Sequence, residues 1–193
     1  MDATARWSLL LRPDSVVVTS CLVRRDAAGY TLTVPRSLGD DAFVRLRRFH
    51  FRVDCTLSVG DCDVGPYSSV ADLVDAGWPG ENEFRAQLHP FSFGAHFVAQ
   101  TVSFTKGCYT GQELVGRLEA RGASVPWRLV RAQGPSRDRI HEVLCSKGPA
   151  GPRGVTSAVP RDGATSALGI AHRSLIDSEY LAAFGDVTIE EIT

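Results

Sequence analysis

The sequence of 193 residues lacks an apolar run long enough to cross a membrane as a helix. Its first residues also lack the basic lead and apolar core of a secretory signal peptide. The apolar run at 9–11 is interrupted at once by Arg12 and Pro13. We therefore expect a cytoplasmic protein that has no membrane partner.

The chain also lacks an excess of positive charge. Its formal net charge is −1, whereas the neutralisation of nucleic-acid phosphates needs a basic excess, so we expect no direct binding to nucleic acid. Lys106 and Lys147 are the only lysines, and the other basic residues are arginines. We interpret one local cluster as the solvated face of a helix. It consists of Arg45, Arg47, Arg48 and Arg52.

A regular cysteine framework is missing too. The number of cysteines is odd and their spacing is irregular: they are Cys21, Cys55, Cys62, Cys108 and Cys145. In a reducing compartment such cysteines are expected to be free thiols. The separation of Cys55 and Cys62 by seven positions matches no common zinc-ligand spacing, so we predict no metal site there.

What remains is an ordinary globular composition, with 44% hydrophobic residues. The first half predicts an antiparallel meander with strands at 7–11, 16–23 and 30–34. A helix at 37–49, a strand at 51–59 and a short helix after Ser68 and Ser69 follow, whereas 81–97 shows no regular pattern. A further short helix is predicted at 111–118, where Leu114, Val115 and Leu118 have helical spacing.

The pattern of the second half is purely that of strands. Short β-prone segments separated by Gly, Pro and Ser clusters are predicted at 125–132, 140–145, 155–159, 168–172 and 187–192. Such strands are typical of a small barrel or sandwich. We therefore predict an α+β fold with an antiparallel sheet and packed helices over 1–124, followed by a small β-barrel domain over 125–193.

The segment 106–113, Lys-Gly-Cys-Tyr-Thr-Gly-Gln-Glu, concentrates the chemistry of the chain. Its glycines permit a tight turn or a close approach to a ligand. Cys108 lies near a predicted helix start and two residues from Lys106, a setting that favours a reactive thiolate. The alternative is an ordinary surface turn in which Cys108 is a small buried hydrophobe.

This segment, with Arg117 and the pair Arg121-Gly122 after it, resembles the K-G-C-Y-x-G-Q-E signature of the YgfZ family. These folate-binding proteins are related to the T-protein, the aminomethyltransferase of the glycine cleavage system. Residues 154–158 and 167–173 resemble a second family pattern, G-x-V-T-S-A followed by A-L-G-x-x-x-R. Segments at 9–13, 38–59 and 83–90 also fit the family, so the resemblance covers nearly the whole chain.

The resemblance implies a tetrahydrofolate-binding accessory protein of iron–sulfur cluster assembly or repair and of tRNA modification, with iron–sulfur client proteins as partners. Cys108 would be the functional thiol. The folate-binding residues would be Lys106, Tyr109, Gln112, Glu113, Arg117 and Arg121. Glu113 or Gln112 would pair with the pterin edge, Tyr109 or Trp127 would stack on it, and the basic residues would meet the tail carboxylates.

The residues leave other interpretations open. Glu113 could serve only the helix start, Arg117 could pair only with Glu113, and Tyr109 could belong to the core. Two other functions remain: a folate-dependent aminomethyl or one-carbon transferase, and a non-enzymatic interaction protein that has lost folate binding. Whether the protein is an enzyme therefore stays open.

The family members begin with several tens of residues before the position that matches Trp7, whereas six residues precede Trp7 here. That stretch supplies an acidic residue important for catalysis in the T-protein branch, so its absence speaks against the transferase. It should also leave an open sheet edge, which predicts a homodimer or a covering partner.

Overall fold

The computed structural model describes residues 5–61, 67, 69–176, 179 and 184–193. Cys62 and Ser68, which enter the sequence predictions, lie outside these residues. Within them, two antiparallel sheets and several helices give the predicted α+β class. No helix of the described ranges is both long and apolar enough to span a membrane.

The first sheet is the predicted meander. It has the order β1-β2-β3, with β1 (Arg6–Leu11), β2 (Val17–Arg25) and β3 (Tyr30–Thr33). The turn from β1 to β2 is closed by two 2.9 Å hydrogen bonds, from Arg12 N to Val16 O and from Ser15 N to Arg12 O. β1 and β3 form the two edges of this sheet.

The predicted helix after β3 is present, but the predicted strand after it is wrong. A 3-10 turn (Arg36–Leu38) leads into α1 (Gly39–Arg47). Residues 51–59 form no strand, and Phe51 and Val59 are 71% and 67% exposed. Their alternating pattern finds neither a partner strand nor a core, and a strand needs both to be stable.

The segment without a sequence pattern is largely helical. After α2 (Val70–Ala76), which Ser69 caps, it forms α3 (Glu81–Phe84), a 3-10 turn (Pro90–Phe93) and α4 (Ala95–Thr101). Elements this short give no helical periodicity in the sequence, which is why the prediction missed them. They carry the aromatic core, where the rings of Phe84, Phe93 and Phe97 lie 5.4–6.2 Å apart. The predicted helix after the signature segment is α5 (Gln112–Ala120).

The second half forms a four-stranded antiparallel sheet of order β5-β6-β4-β7. Its strands are β4 (Trp127–Gly134), β5 (Gly154–Arg161), β6 (Ala164–His172) and β7 (Thr188–Glu191). A short helix, α7 (Arg173–Ile176), follows β6. Among the described residues β5 and β7 remain unpaired edges, so this sheet is not closed into the predicted barrel.

The predicted strand at 140–145 is wrong, because this segment lies in α6 (Arg137–Cys145). Ser136 caps α6, since its Oγ accepts a hydrogen bond from Arg139 N at 3.2 Å. Ile140, Val143 and Leu144 are fully buried against the sheet. Their spacing of three and four positions is helical, so the sequence contained the correct signal.

Two hydrophobic clusters hold the fold together. The first combines residues of the N-terminal half, such as Leu11, Phe97 and Val115, with Leu129 and Leu168 of the second sheet. The second lies between α6 and the sheet. The division at residue 124 stays a prediction, but the first cluster contains residues from both sides of it.

Glu83 also connects the N-terminal half of the chain to the second sheet, here through hydrogen bonds. Its side chain is fully buried in α3. One carboxyl oxygen accepts a hydrogen bond from Gly80 N at 2.8 Å, and the other accepts one from Ser157 Oγ of β5 at 2.7 Å. A buried carboxyl group is tolerated only when its oxygens have such partners, so Ser157 satisfies Glu83 across the two halves.

Ser157→Ala should therefore lower the free energy of unfolding by about 1–3 kcal/mol, because it leaves a buried carboxyl oxygen without its donor. Chemical denaturation measures this change. The matched control is Ser166→Ala, which removes a second buried serine on the neighbouring strand and keeps the bonds of Glu83. Equal effects of the two substitutions would contradict the role given to Ser157.

Candidate functional site

Residues 106–111, which we call the signature turn, lie between α4 and α5 and form one wall of a small pocket. Lys106, Tyr109 and Thr110 line this pocket, whose volume is about 150 Å³. The remaining lining comes from β1, from the end of α4 and from the segment after α1: Ser8, Leu9, Leu10, Leu11, Phe49, Thr101, Val102 and Ser103. We call this cavity the signature pocket. The structure thus brings part of the predicted site against the first sheet.

Tyr109 is held in the turn by contacts of its backbone and of its ring. Its backbone N donates to Gln112 Oε1 at 3.3 Å, and Lys106 Nζ lies 5.0 Å from the centre of its ring. The hydroxyl group of Tyr109 is buried without a hydrogen-bond partner. Burial, and secondarily the charge of Glu119, raises the pKa of Tyr109. The phenol therefore stays protonated at neutral pH and can donate a hydrogen bond to a ligand.

Two thiols near this turn have opposite surroundings. Cys108 is exposed beside the signature pocket. Cys21 of β2 is 4% exposed, and its Sγ donates to Ser8 O at 3.6 Å. Burial raises the pKa of Cys21 to about 11, although the charge of Lys106 acts in the opposite direction. Of these two thiols, Cys108 is accessible, whereas Cys21 is held in its protonated form.

The other predicted residues of the site lie away from the signature pocket. Glu113 and Arg117 form an exposed ion pair along α5, a contact worth little stability in water. Arg121 is exposed at the end of this helix. Gln112 uses its amide oxygen for the turn, and Trp127 packs its ring 5.1 Å from His172 on the second sheet. Lys106 and Tyr109 are therefore the predicted binding residues that line the pocket.

Gly111 fixes the turn to the body of the protein. It begins α5 with φ of +83°, a conformation that glycine adopts without strain. A Cβ atom at this position would lie 2.8 Å from Arg12 O and 3.0 Å from Ser15 Cα. The start of α5 therefore rests directly on the turn between β1 and β2.

That turn contains a serine–histidine contact which the sequence did not suggest. Ser15 has φ of +60°, and its Oγ lies 2.8 Å from Nδ1 of His89. Ser15 is fully buried and does not line the signature pocket, so a ligand in that pocket would not meet its hydroxyl group. Val17 N donates to Leu88 O at 2.9 Å in the same region. We interpret this contact as structural support for the turn rather than as a nucleophile and its base.

Residues of the β1–β2 turn also line a second and larger cavity. Its volume is about 510 Å³. We call it the arginine groove, because Arg12, Arg45, Arg48 and Arg85 line it together with one acidic residue, Asp41. Its apolar lining consists of Pro13, Val16, Val17, Val18, Leu38, Val44 and Phe84.

The interpretation of the basic cluster as a solvated face is wrong for Arg45. Arg47 and Arg48 are exposed, but Arg45 is only 9% exposed, and its Nε donates to Leu11 O at 3.1 Å. A usable signal existed in the sequence. Leu38, Ala42 and Arg45 follow one another at four and three positions, which places Arg45 on the buried stripe of the helix.

The comparisons with known proteins leave the family open. No protein-family model matches the chain. An uncharacterized protein of Haemophilus influenzae is 43% identical over 60 residues, a match that covers 28% of this chain and 20% of that protein. The resemblance to the YgfZ family therefore stays a prediction.

In the part of the chain described here, no group of three or more His, Cys, Asp or Glu side chains is placed to hold a metal ion.

The two glycines of the signature should respond differently to substitution. Gly111→Ala should lower the free energy of unfolding by about 2–4 kcal/mol, because it adds both a strained φ and a clash with backbone atoms. Gly107→Ala is the matched control, since an added Cβ at Gly107 meets nothing within 4 Å. We expect it to change stability by less than about 1 kcal/mol. Denaturation curves in which both variants behave alike would contradict the contact.

Proposed function

We propose that the protein is a tetrahydrofolate-binding accessory protein of iron–sulfur cluster assembly or repair and of tRNA modification, with Cys108 as its functional thiol. The resemblance of the signature to the YgfZ family suggests this function. The observation that supports it is that Tyr109, whose hydroxyl group is buried without a hydrogen-bond partner, lines a pocket to which the signature turn contributes one wall. A buried polar atom without a partner is uncommon in folded proteins and marks a place where a ligand could supply one.

The composition of the signature pocket suits one end of such a ligand. Leu9, Leu10 and Phe49 offer apolar contact to a flat ring, while Lys106 and Tyr109 offer hydrogen-bond donors. Its volume of about 150 Å³ lies below the range of roughly 300–1,000 Å³ that is typical for whole small-molecule ligands. We therefore propose that the pocket receives a ring system, while the remainder of the folate lies at the surface.

The exposure of Cys108 suits a role toward a partner protein. Cys108 is exposed at the surface and does not belong to the lining of the signature pocket. A thiol in this position can react with a second protein while a ligand occupies the pocket. The iron–sulfur client proteins and a homodimer through an edge of the first sheet remain further parts of the proposal.

The lining of the signature pocket favours binding over group transfer. Its described polar side chains are hydroxyl groups and the ammonium group of Lys106, with no carboxylate among them. Aminomethyl transfer needs a group that moves protons, most often a carboxylate or an imidazole. We therefore prefer the accessory role to that of a transferase.

Tyr109→Phe tests the ligand site. It should weaken the binding of 5-formyltetrahydrofolate about three- to tenfold, because the lost hydroxyl group would have bonded to the ligand. The unliganded variant should be as stable as the parent protein or up to about 1 kcal/mol more stable, since an unsatisfied buried group has been removed. Isothermal titration calorimetry and denaturation measure the two quantities.

The control is Tyr30→Phe, which removes a hydroxyl group from a tyrosine that is 67% exposed on β3. It should leave the affinity unchanged. If the parent protein releases no heat with millimolar 5-formyltetrahydrofolate, folate binding is refuted and the interaction protein without a ligand becomes the better interpretation.

Cys108→Ala tests the thiol. In cells that depend on this protein, the variant should reduce the activity of an iron–sulfur enzyme to the level of cells without the protein. Cys55→Ala removes another exposed thiol and should leave that activity intact. Full activity with Cys108→Ala would remove the thiol from the mechanism.

A further inference from the structure

We propose that the arginine groove is a second binding site, separate from the signature pocket, for a small organic oxyanion: a carboxylate or phosphate group carried on an apolar body. The proposal does not depend on folate binding. It rests on the guanidinium group of Arg45, on the charges around it and on the apolar lining of the groove.

Arg45 is built into the wall of the groove with an unused donor. The side chain is 9% exposed, and Nε is fixed by its hydrogen bond to Leu11 O. Nη2 is buried and has no hydrogen-bond partner. The ring of Phe49 lies 5.2 Å from the guanidinium carbon and supports the plane of the group. A buried guanidinium with a free edge is the group that carboxylates and phosphates bind best.

The charges around Arg45 leave the groove positive at one place. Arg12 is paired with Asp14 at 2.9 Å, and Arg85 is paired with Glu81 at 2.9 Å. The charges that remain in the lining belong to Arg45, Arg48 and Asp41. Arg45 and Arg48 lie three positions apart on α1 and its C-terminal end, so their side chains occupy one face of this helix. This pair is the expected contact for the oxyanion.

The rest of the lining excludes a bare inorganic ion as the best ligand. Side chains of the β1–β2 turn, β2, α1 and α3 supply an apolar surface beside the arginines. A cavity of about 510 Å³ is within the usual range for small-molecule ligands and much larger than one phosphate group needs. A ligand with a ring or a short chain next to its anionic group uses both parts of the lining.

The test uses phenyl phosphate and benzoate as probes, with benzyl alcohol as the neutral analogue. Titrations followed by nuclear magnetic resonance at low ionic strength should show binding of at least one anion and no comparable binding of benzyl alcohol. Arg48→Gln should weaken the binding of that anion about tenfold, because a charged hydrogen bond is lost. Asp41→Asn should tighten it about two- to threefold, since a repelling charge is removed.

Arg47→Gln is the matched control. Arg47 neighbours Arg48 on α1 and is exposed, but it does not line the groove. Its substitution should change the dissociation constant by less than about twofold, as expected for a screened surface charge. Lys106→Gln should likewise leave probe binding intact, which separates this site from the folate proposal. The anion that binds more tightly identifies the ligand as a carboxylate or as a phosphate.

Three results would overturn the proposal. The first is the absence of shifts at groove residues with both anions at millimolar concentration. The second is equal weakening by Arg47→Gln and Arg48→Gln, which would show a diffuse electrostatic effect. The third is binding of benzyl alcohol as tight as that of the anions. Arg47 and Arg48 are both exposed, so we expect their substitutions to leave the fold intact. Circular dichroism of each variant checks this expectation.

Discussion

The close contact between Gly111 and the β1–β2 turn determines where the chemistry of this protein can lie. Because Gly111 has no side chain, the start of α5 can lie directly against the β1–β2 turn. A Cβ atom added to Gly111 would be only 2.8 Å from Arg12 O and 3.0 Å from Ser15 Cα. Lys106 and Tyr109 precede Gly111 in the same turn, and they line the signature pocket together with residues of β1. The position of the turn is therefore set by this steric constraint more than by the exposed ion pair of α5, which contributes little stability.

The same turn also shapes the arginine groove. Leu11 belongs to the lining of the signature pocket, whereas Arg12 belongs to that of the groove. Arg45 marks the division, since it donates to Leu11 O and lies against Phe49, another residue of the signature pocket. The two cavities are therefore neighbours with a common wall.

The sequence predicted those parts of the fold that repeat a pattern over several residues. The three strands of the meander, α5 and the hairpin of β5 and β6 are regular in this way. The segment 51–59 shows the limit, because alternation alone does not create a partner strand. For the site, the signature indicated Lys106 and Tyr109, and the spacing of four positions already offered the ion pair of Glu113 with Arg117 that the structure contains. The sequence could not show that the hydroxyl group of Tyr109 is buried without a partner, because that burial depends on contacts between distant segments of the folded chain.

Unsatisfied buried atoms give a sharper guide to function than the charge pattern does. Among the described residues, the side-chain atoms that are buried without a partner are Arg45 Nη2, Trp78 Nε1 and Tyr109 Oη. Folded proteins pair nearly all such atoms, because each unpaired one costs about 1–3 kcal/mol. Two of these three residues line a cavity, whereas Trp78 is packed among aromatic rings. A ligand that supplied the missing partner at Arg45 or at Tyr109 would remove this cost, and this is the physical reason for proposing binding at these two cavities.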